Sequence, residues 1–461
     1  MKTMKHIIWM AAIALTGTIM TACSNEDVPT ATEQLAQSRT FTVTTTLSPR
    51  NGVTRSTMTD NGDGSISSEW QVNDQIFVGY RNTSDAIVKT IATVTAVHPS
   101  TKAATITMTL TDPKDGSIIS FGYPLSYWNE TKKLITDQIG TLADINNNFA
   151  AIGGDGKLTV SESDVTLSAV TMTPYICIWK FSFTDGINDI TNDITKLVID
   201  LPDDNPNDAI TYAVTPSSQN TIYVAMYGGI NAKPICITAT TATGVYRKAA
   251  ASVTLNAGLT YTTTNFALKK AEVGKVLGAN GNIYDTVGDA GLAAALITYV
   301  GNDAENSASN TAYHHGLALA LSDASTGAEW CDQWAETCLA TQYSTSTDAK
   351  TDMAGIANTD ALIGHKTHTH TAADAVIYYN GGTHPTGTSA WFLPSAGQWD
   401  KMATAAGSYA TLKTNASLKS GFYWSSTERS TNWAWCYTFT DDGWRSNGKD
   451  DSNYVRLALA F

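Results

Sequence analysis

Histidines crowd one stretch of this chain, His365-Lys366-Thr367-His368-Thr369-His370, and His384 follows. On a strand His368 and His370 would share one face, a spacing suited to zinc or nickel. A solvated polar loop between Asn358-Thr359 and Ala372-Ala373 explains the same residues. No cysteine or carboxylate sits inside the run to complete a shell, so no metal and no other cofactor is expected. The run Thr440-Asp441-Asp442-Gly443-Trp444-Arg445-Ser446-Asn447-Gly448-Lys449-Asp450-Asp451 is a better ligand candidate. It is polar, carries a tryptophan and precedes the closing strand, and recognition concentrates in such loops. Asp441, Asp442, Trp444, Arg445 and Asn447 are its candidate contacts. Trp391, Tyr423 and Trp424 have the chemistry of sugar platforms, but aromatic residues in a small domain belong more often to its core.

Cys23 offers a different chemistry. Lys2 and Lys5 precede an apolar stretch from Ile7 to Leu15, and Met20-Thr21-Ala22-Cys23 ends it with small residues before the thiol. That pattern reads as a bacterial lipoprotein signal, too short for a lasting membrane span. It implies removal of residues 1–22 and acylation of Cys23, which anchors the new N-terminus to a membrane. Ser24-Asn25-Glu26-Asp27 behind it resembles the acidic export signal of some Gram-negative surface lipoproteins, which implies the outer face of the cell outer membrane.

The other cysteines are Cys177, Cys236, Cys331, Cys338 and Cys436, an odd set that gives no disulfide framework. Trp330 and Trp334 suggest a helix over Thr326–Ala340. That helix would hold Cys331 and Cys338 about 10 Å apart along its axis, beyond bridging reach.

A formal charge of −13 and a pI near 5.0 argue against nucleic acid or anionic lipid as partners. The search for enzyme signatures is negative: there is no Gly-x-Ser-x-Gly, His-Glu-x-x-His, phosphate loop or Gly-x-Gly-x-x-Gly. A non-enzymatic protein is therefore expected.

Stepping along the chain, Thr40 to about Leu268 alternates with period two, as in Phe41, Val43, Thr45, Leu47 and in Ile222, Val224, Met226. Such half-buried strands separated by turn clusters predict antiparallel sandwiches. Gly153-Gly154-Asp155-Gly156 is a candidate boundary between two of them. After Lys270, helical stripes appear over Asp289–Gly301, through Leu292, Leu296, Tyr299 and Val300, and over Ser395–Leu412, through Trp399, Met402 and Ala406, with Pro394 at the entry. The expected fold is mainly β in the N-terminal half, as two β-sandwich domains, plus an α+β C-terminal domain. The expected divisions are 1–22, a signal peptide; 23–38, a linker; 39–160 and 161–270, the sandwiches; and 271–461, the last domain.

Thr54-Arg55-Ser56, then Trp70-Gln71-Val72-Asn73-Asp74-Gln75-Ile76-Phe77-Val78, Phe121-Gly122-Tyr123-Pro124 and Asn256-Ala257-Gly258-Leu259-Thr260-Tyr261 together resemble the fimbrillin-like family over residues 35–270. The resemblance implies a lipidated precursor of a surface pilin with two β-sandwich domains. It also implies that an Arg-specific protease can cut the maturing subunit, freeing a groove that a neighbouring pilin subunit's strand fills. Arg50 and Arg55 are the positions that could serve, Arg55 first. Gly274-Lys275-Val276-Leu277, Gly316-Leu317-Ala318-Leu319-Ala320, Gly355-Ile356-Ala357-Asn358-Thr359, Trp391-Phe392-Leu393-Pro394-Ser395, Tyr423-Trp424-Ser425-Ser426-Thr427-Glu428 and Tyr454-Val455-Arg456 resemble the C-terminal domain of the Legionella collagen-like adhesin family. That likeness implies a C-type-lectin-like fold. The calcium-binding Glu-Pro-Asn, Gln-Pro-Asp and Trp-Asn-Asp motifs of the wider fold are absent, which argues against sugar binding through calcium.

Three functional classes follow as expectations. The first is a cell-surface lipoprotein adhesin at a pilus tip, since Val455–Phe461 looks committed to the last domain rather than free to donate a strand. In it the C-terminal domain binds a surface glycan or protein ligand. The second is a free-standing glycan-binding lipoprotein; the third, weaker, is a polysaccharide-active enzyme.

Overall fold

The structure, a computed structural model, describes residues 38–49, 57–62, 66–125, 137–149, 151–168, 170–201, 210–289, 293–301, 315–332, 336–365 and 369–461. Cys23, the run Ser24-Asn25-Glu26-Asp27, Arg50, Arg55 and His368 lie outside the described residues. No described helix is long and apolar enough to cross a membrane. The protein is mainly β, with most of its few helices in the C-terminal half.

Thr40–Pro49 (β1) opens the first sheet. Thr57–Asp60 (β2) and Ile66–Glu69 (β3) form a separate hairpin, and Gln75–Arg81 (β4), Ile87–His98 (β5), Ala103–Thr111 (β6), Ile118–Tyr123 (β7), Ile152–Val160 (β8), Val165–Leu167 (β9) and Val170–Pro174 (β10) follow. The order is β10-β1-β6-β5-β4-β7-β8-β9, and β10 also pairs with β8, so the sheet closes around one core. In β1 the sequence alternation is realised: Val43 and Leu47 are buried while Thr42, Thr44 and Thr46 face water. β1 runs antiparallel to β6 from Thr40↔Thr111 to Leu47↔Ala104 and parallel to β10 from Leu47↔Val170.

The glycines expected at a domain boundary instead lie inside β8, paired with β7. Their smallness admits the neighbouring chain. A Cβ on Gly154 would come within 2.5 Å of the Thr171 carbonyl oxygen of β10, and one on Gly153 within 2.9 Å of the Tyr175 ring.

The second β unit comprises Ile176–Thr184 (β11), Ile194–Leu201 (β12), Ile210–Val214 (β13), Ile222–Tyr227 (β14), Ile230–Thr241 (β15), Gly244–Leu255 (β16), Thr260–Ala267 (β17) and Lys269–Lys270 (β18). One sheet is β14-β11-β17 and the other β13-β12-β15-β16-β18. Phe181, Phe183, Val224 and Met226 of the first share a core with Leu197, Ile199, Ile237 and Tyr246 of the second.

The β2–β3 hairpin is tied to this unit at Asp60, whose carboxylate accepts from Lys180 Nζ and, at 2.5 Å, from the Tyr223 hydroxyl. The Lys180 ammonium, the Tyr223 hydroxyl and the Gly62 amide hold the Asp60 carboxyl down at about 2, against 3.8 ordinarily. A carboxyl depressed on folding contributes stability above its unfolded pKa and loses it as pH falls through the folded one. Asp60→Asn is therefore expected to lower the melting temperature at neutral pH, and the gap to the parent protein should shrink between pH 3.8 and about 2. Parallel thermal melts across that window check it.

The C-terminal part holds Val276–Gly278 (β19), Ile283–Tyr284 (β20), Ala293–Val300 (β21), Gly316–Ala320 (β22), Ser325–Ala328 (β23), Phe422–Glu428 (β24), Trp433–Thr438 (β25), Gly443–Gly448 (β26), Asn453–Val455 (β27) and Ala458–Ala460 (β28). Its sheets are β20-β19-β21-β22-β28 and β23-β27-β24-β25-β26. Helices Gly355–Gly364, Thr371–Tyr378, Ala396–Ala405 and Tyr409–Asn415 pack with them, giving the expected α+β arrangement.

Two expected helices are corrected. Asp289–Gly301 contains the strand β21, with Ala295 and Ile297 wholly buried and Leu296 nearly so. A strand covered on both faces lacks alternation, so its apolar run imitates a helical stripe. Among the described residues of Thr326–Ala340 none is helical beyond the end of β23, and Cys338 Sγ lies 4.0 Å from Cys331 Sγ instead of at a helical separation. The Ser395–Leu412 segment is helical in two pieces. Ser395 caps the first in a capping box with Gln398, Gly407 at φ 93 separates them, and Ser408 caps the second.

Buried charges organise this domain. Glu428, wholly buried, accepts from Lys449 Nζ and from the amides of Cys338 and Leu339, each at 2.9 Å. Lys449 also donates to the Glu336 carbonyl and lies 5.0 Å over the Trp330 ring. Arg456 pairs with Asp323 at 2.8 Å and donates to the carbonyls of Ala320 and Ala416.

A third buried cation joins the domain to the second β unit. Arg247 on β16 donates to the carbonyls of Gly281 at 3.1 Å, Thr386 at 2.8 Å and Gly387 at 2.5 Å, and lies 5.9 Å from the Phe461 ring. Beside it the Ala249 amide donates to Asn282 Oδ1 at 2.9 Å.

Candidate functional site

The ligand loop expected from sequence is the hairpin between β25 and β26. Asp441 and Asp442 make its turn, with Asp442 at φ 48, a conformation that short polar side chains tolerate. Arg445 Nη2 meets Asp441 Oδ2 at 2.9 Å, both side chains about half exposed. Surface pairs of this kind are worth about 0–1 kcal/mol, so the guanidinium is easily surrendered to a ligand. Asn447 lies two residues beyond Arg445, on the same face of the edge strand. Its amide donates to Asn453 Oδ1 at 3.3 Å.

Trp444 does not join them. As Arg445's neighbour on a strand it faces the other way, where its indole sits edge-on to Tyr437 at 5.5 Å and donates from Nε1 to the Tyr409 hydroxyl at 3.0 Å. Tyr409 and Tyr437 stack at 3.7 Å, and burial pushes the Tyr437 hydroxyl up to about 12. Trp444 is thus half-buried in an aromatic cluster that stiffens the hairpin. Trp391, Tyr423 and Trp424 are buried in the core.

A second concave surface escaped the sequence reading. A cleft of about 340 Å³ is lined by Ser325, Thr371, Asp374, Tyr378, Tyr379 and Asn380, with Ala324 and Ala375. Tyr379 is fixed by Trp391, ring to ring at 5.0 Å, and by Ser322 at 3.3 Å. Tyr378 at the helix end is 79% exposed, and Ile377 before it is 50% exposed. Asn380 and Gly381, at φ 49 and 63, turn the chain sharply behind them. One fixed and one exposed tyrosine beside carboxylate, amide and hydroxyl groups suit a polar ligand with an apolar face, such as a sugar ring. The dipeptide Tyr378-Tyr379 before Asn380-Gly381-Gly382 was the available signal.

His365, Thr369 and His370 of the histidine run are described, and none of them lies in a strand. His365 caps the end of the Gly355–Gly364 helix, and His370 precedes the Thr371–Tyr378 helix and is only 1% exposed. His384 is engaged elsewhere, with the Pro385 carbonyl at 3.3 Å and Thr388 Oγ1 at 3.2 Å, and burial lowers its pKa. What the structure does bring to His370 is Cys331 and Cys338.

No protein-family model matches the chain, and no curated protein matches it. Among solved structures, a fimbrial protein from Bacteroides ovatus is 14% identical, with 90% of this chain and 99% of that one covered at a TM-score of 0.37. The tip fimbrial protein from Porphyromonas gingivalis, with C-terminal truncation, is 12% identical, with 46% of this chain and 81% of that one covered at a TM-score of 0.23.

Proposed function

We propose that this chain is a non-enzymatic adhesin exported to the outer-membrane surface as a lipoprotein precursor anchored through Cys23, and assembled at a pilus tip or as an accessory subunit once a cut at Arg55 releases it from that anchor. Neighbouring pilin subunits join it by strand addition, and its C-terminal domain, with a C-type-lectin-like fold, carries the ligand surface. The observation that carries this reading is β1. It is a ten-residue strand held between β6 and β10, and it ends at Pro49, one position before Arg50.

Cutting at Arg55 would detach β1 from the chain that follows, and its departure would uncover the edge of β6 and the core beneath Val43 and Leu47. Burying those two side chains is worth about 1.5–3 kcal/mol each. The vacancy therefore calls for another strand of the same alternation, the geometry of β-augmentation. The segment Val455–Phe461 is committed to its own domain: Val455 and Leu457 to Phe461 are wholly buried, and β28 pairs with β22. It cannot be donated without unfolding the domain.

Arg55→Ala is expected to leave surface protein untrimmed and absent from fibre ends, as read by mass spectrometry and immunogold labelling of native surface fractions. Trimming and tip labelling unchanged in that variant would overturn processing at Arg55. Full-length protein scattered over the membrane without fibres would overturn the pilus reading itself.

The Tyr378 cleft favours a second reading, a free-standing surface glycan-binding lipoprotein. Tyr378→Ala is then expected to weaken glycan-array binding about tenfold, the loss of one stacking contact.

A further inference from the structure

We propose that Cys331, Cys338 and His370 bind a zinc-class divalent cation, with the neighbouring His365 ring moving onto the ion as the fourth ligand of a tetrahedron. One donor atom each from Cys331, Cys338 and His370 lies within 4.8 Å of the others. The two sulfurs are 4.0 Å apart, and His370 Nε2 faces His365 Nδ1 at 3.4 Å. Zinc–sulfur bonds of about 2.3 Å and zinc–nitrogen bonds of about 2.0–2.1 Å at tetrahedral angles put sulfurs roughly 3.8 Å apart and nitrogens roughly 3.3 Å apart. Both observed separations lie within a few tenths of an ångström of those values. A disulfide would require about 2.05 Å between the same sulfurs.

The outward nitrogens carry an independent argument. Histidine ligands hold their second nitrogen to a carbonyl or carboxylate, which fixes the ring and strengthens it as a donor. His370 Nδ1 lies 3.2 Å from the Trp330 carbonyl oxygen, and His365 Nε2 lies 3.6 Å from Glu336 Oε1. Each imidazole is thus turned so that one nitrogen meets an oxygen and the other meets its partner ring.

Charge agrees. Binding the cation releases the two thiol protons, and two thiolates with two neutral imidazoles neutralise a divalent ion. The adjoining Lys449–Glu428 pair stays balanced, while Lys449 Nζ, 3.7 Å from Cys338 Sγ, can donate to that thiolate. Cys331 and His370 are essentially buried, whereas the His365 side chain is 24% exposed, so the ion reaches the site from the His365 side. Thiolate and imidazole at tetrahedral spacing select zinc over the harder divalent ions.

The test is a titration of the full chain, reduced and stripped with chelator, with Zn²⁺ and then Co²⁺. The expected result is one equivalent of zinc and, with cobalt, the thiolate charge-transfer band and strong visible bands of a four-coordinate site. Cys331→Ser should abolish that charge-transfer signature or sharply reduce it, His365→Ala should weaken zinc binding at least tenfold, and Cys177→Ser should change neither. Should Cys331→Ser fail to fold, His365→Ala, on a partly exposed ring, remains readable. A peptide spanning Cys331 and Cys338 that is lighter by two hydrogens in native protein would overturn the proposal in favour of a disulfide. Absence of cobalt bands in the reduced chain would overturn it outright.

Discussion

Glu428→Ala is expected to destabilise the C-terminal domain by about 3–5 kcal/mol, the cost of breaking a buried pair by removing one partner. The carboxylate is fully enclosed, and three donors converge on it: Lys449 Nζ and the amides of Cys338 and Leu339. Truncation leaves an ammonium and two amides buried without their acceptor. Glu428→Gln should recover part of the loss, because its one remaining oxygen can still accept from one of the two amides, which in the parent bond to separate oxygens, while the charge on Lys449 stays uncompensated. Denaturant unfolding of both variants checks the order. Equal loss in the two would mean that charge, rather than hydrogen bonding to the Cys338–Leu339 backbone, sets the cost.

Arg247→Ala is expected to uncouple the C-terminal domain from the second β unit, giving two unfolding transitions where the parent gives one. It removes the donor to three carbonyls, those of Gly281, Thr386 and Gly387. Each buried acceptor left unsatisfied costs about 1–3 kcal/mol. Loss of the cation also acts on Asp200, whose carboxyl burial raises to about 6 although Arg247 counteracts the rise. A carboxyl raised on folding favours the folded state below its unfolded pKa, and that contribution is lost as pH rises through the folded value. The variant should therefore suffer most above pH 6, and limited proteolysis between the units should be faster there than at lower pH. A single transition with unchanged proteolysis would show that the Asn282 contact and apolar packing suffice to join the units.

These two positions mark where the sequence stopped being informative. Period-two alternation made β1 and β14 legible, because one face of each is wet and the other is core. The entry into the Ala396–Ala405 helix was legible too, since Pro394, Ser395 and Gln398 state its start locally. β21 was misread because burial on both faces erases the alternation by which a strand is recognised, and its alanines and leucine fit a helix equally well.

The hairpin nature of the Thr440–Asp451 run was legible, but the face that Trp444 takes was not. Facing depends on register against Tyr437, which no local pattern encodes. No local pattern joins Cys331 to His370, because the two lie far apart in the chain and meet only in the folded domain. Arg247 carried no signal at all: its partners are backbone carbonyls, invisible to any motif.

The placement of β1 also has a mechanical meaning. Tension entering at Thr40 along the strand axis acts on β1 first. β1 is matched to β6 by consecutive antiparallel pairs from Thr40↔Thr111 to Leu47↔Ala104. Force along that axis loads these hydrogen bonds in shear, all sharing it at once, rather than peeling them one after another. The same strand that a single cut beyond Pro49 could release would, left uncut, resist traction through all of these pairs together.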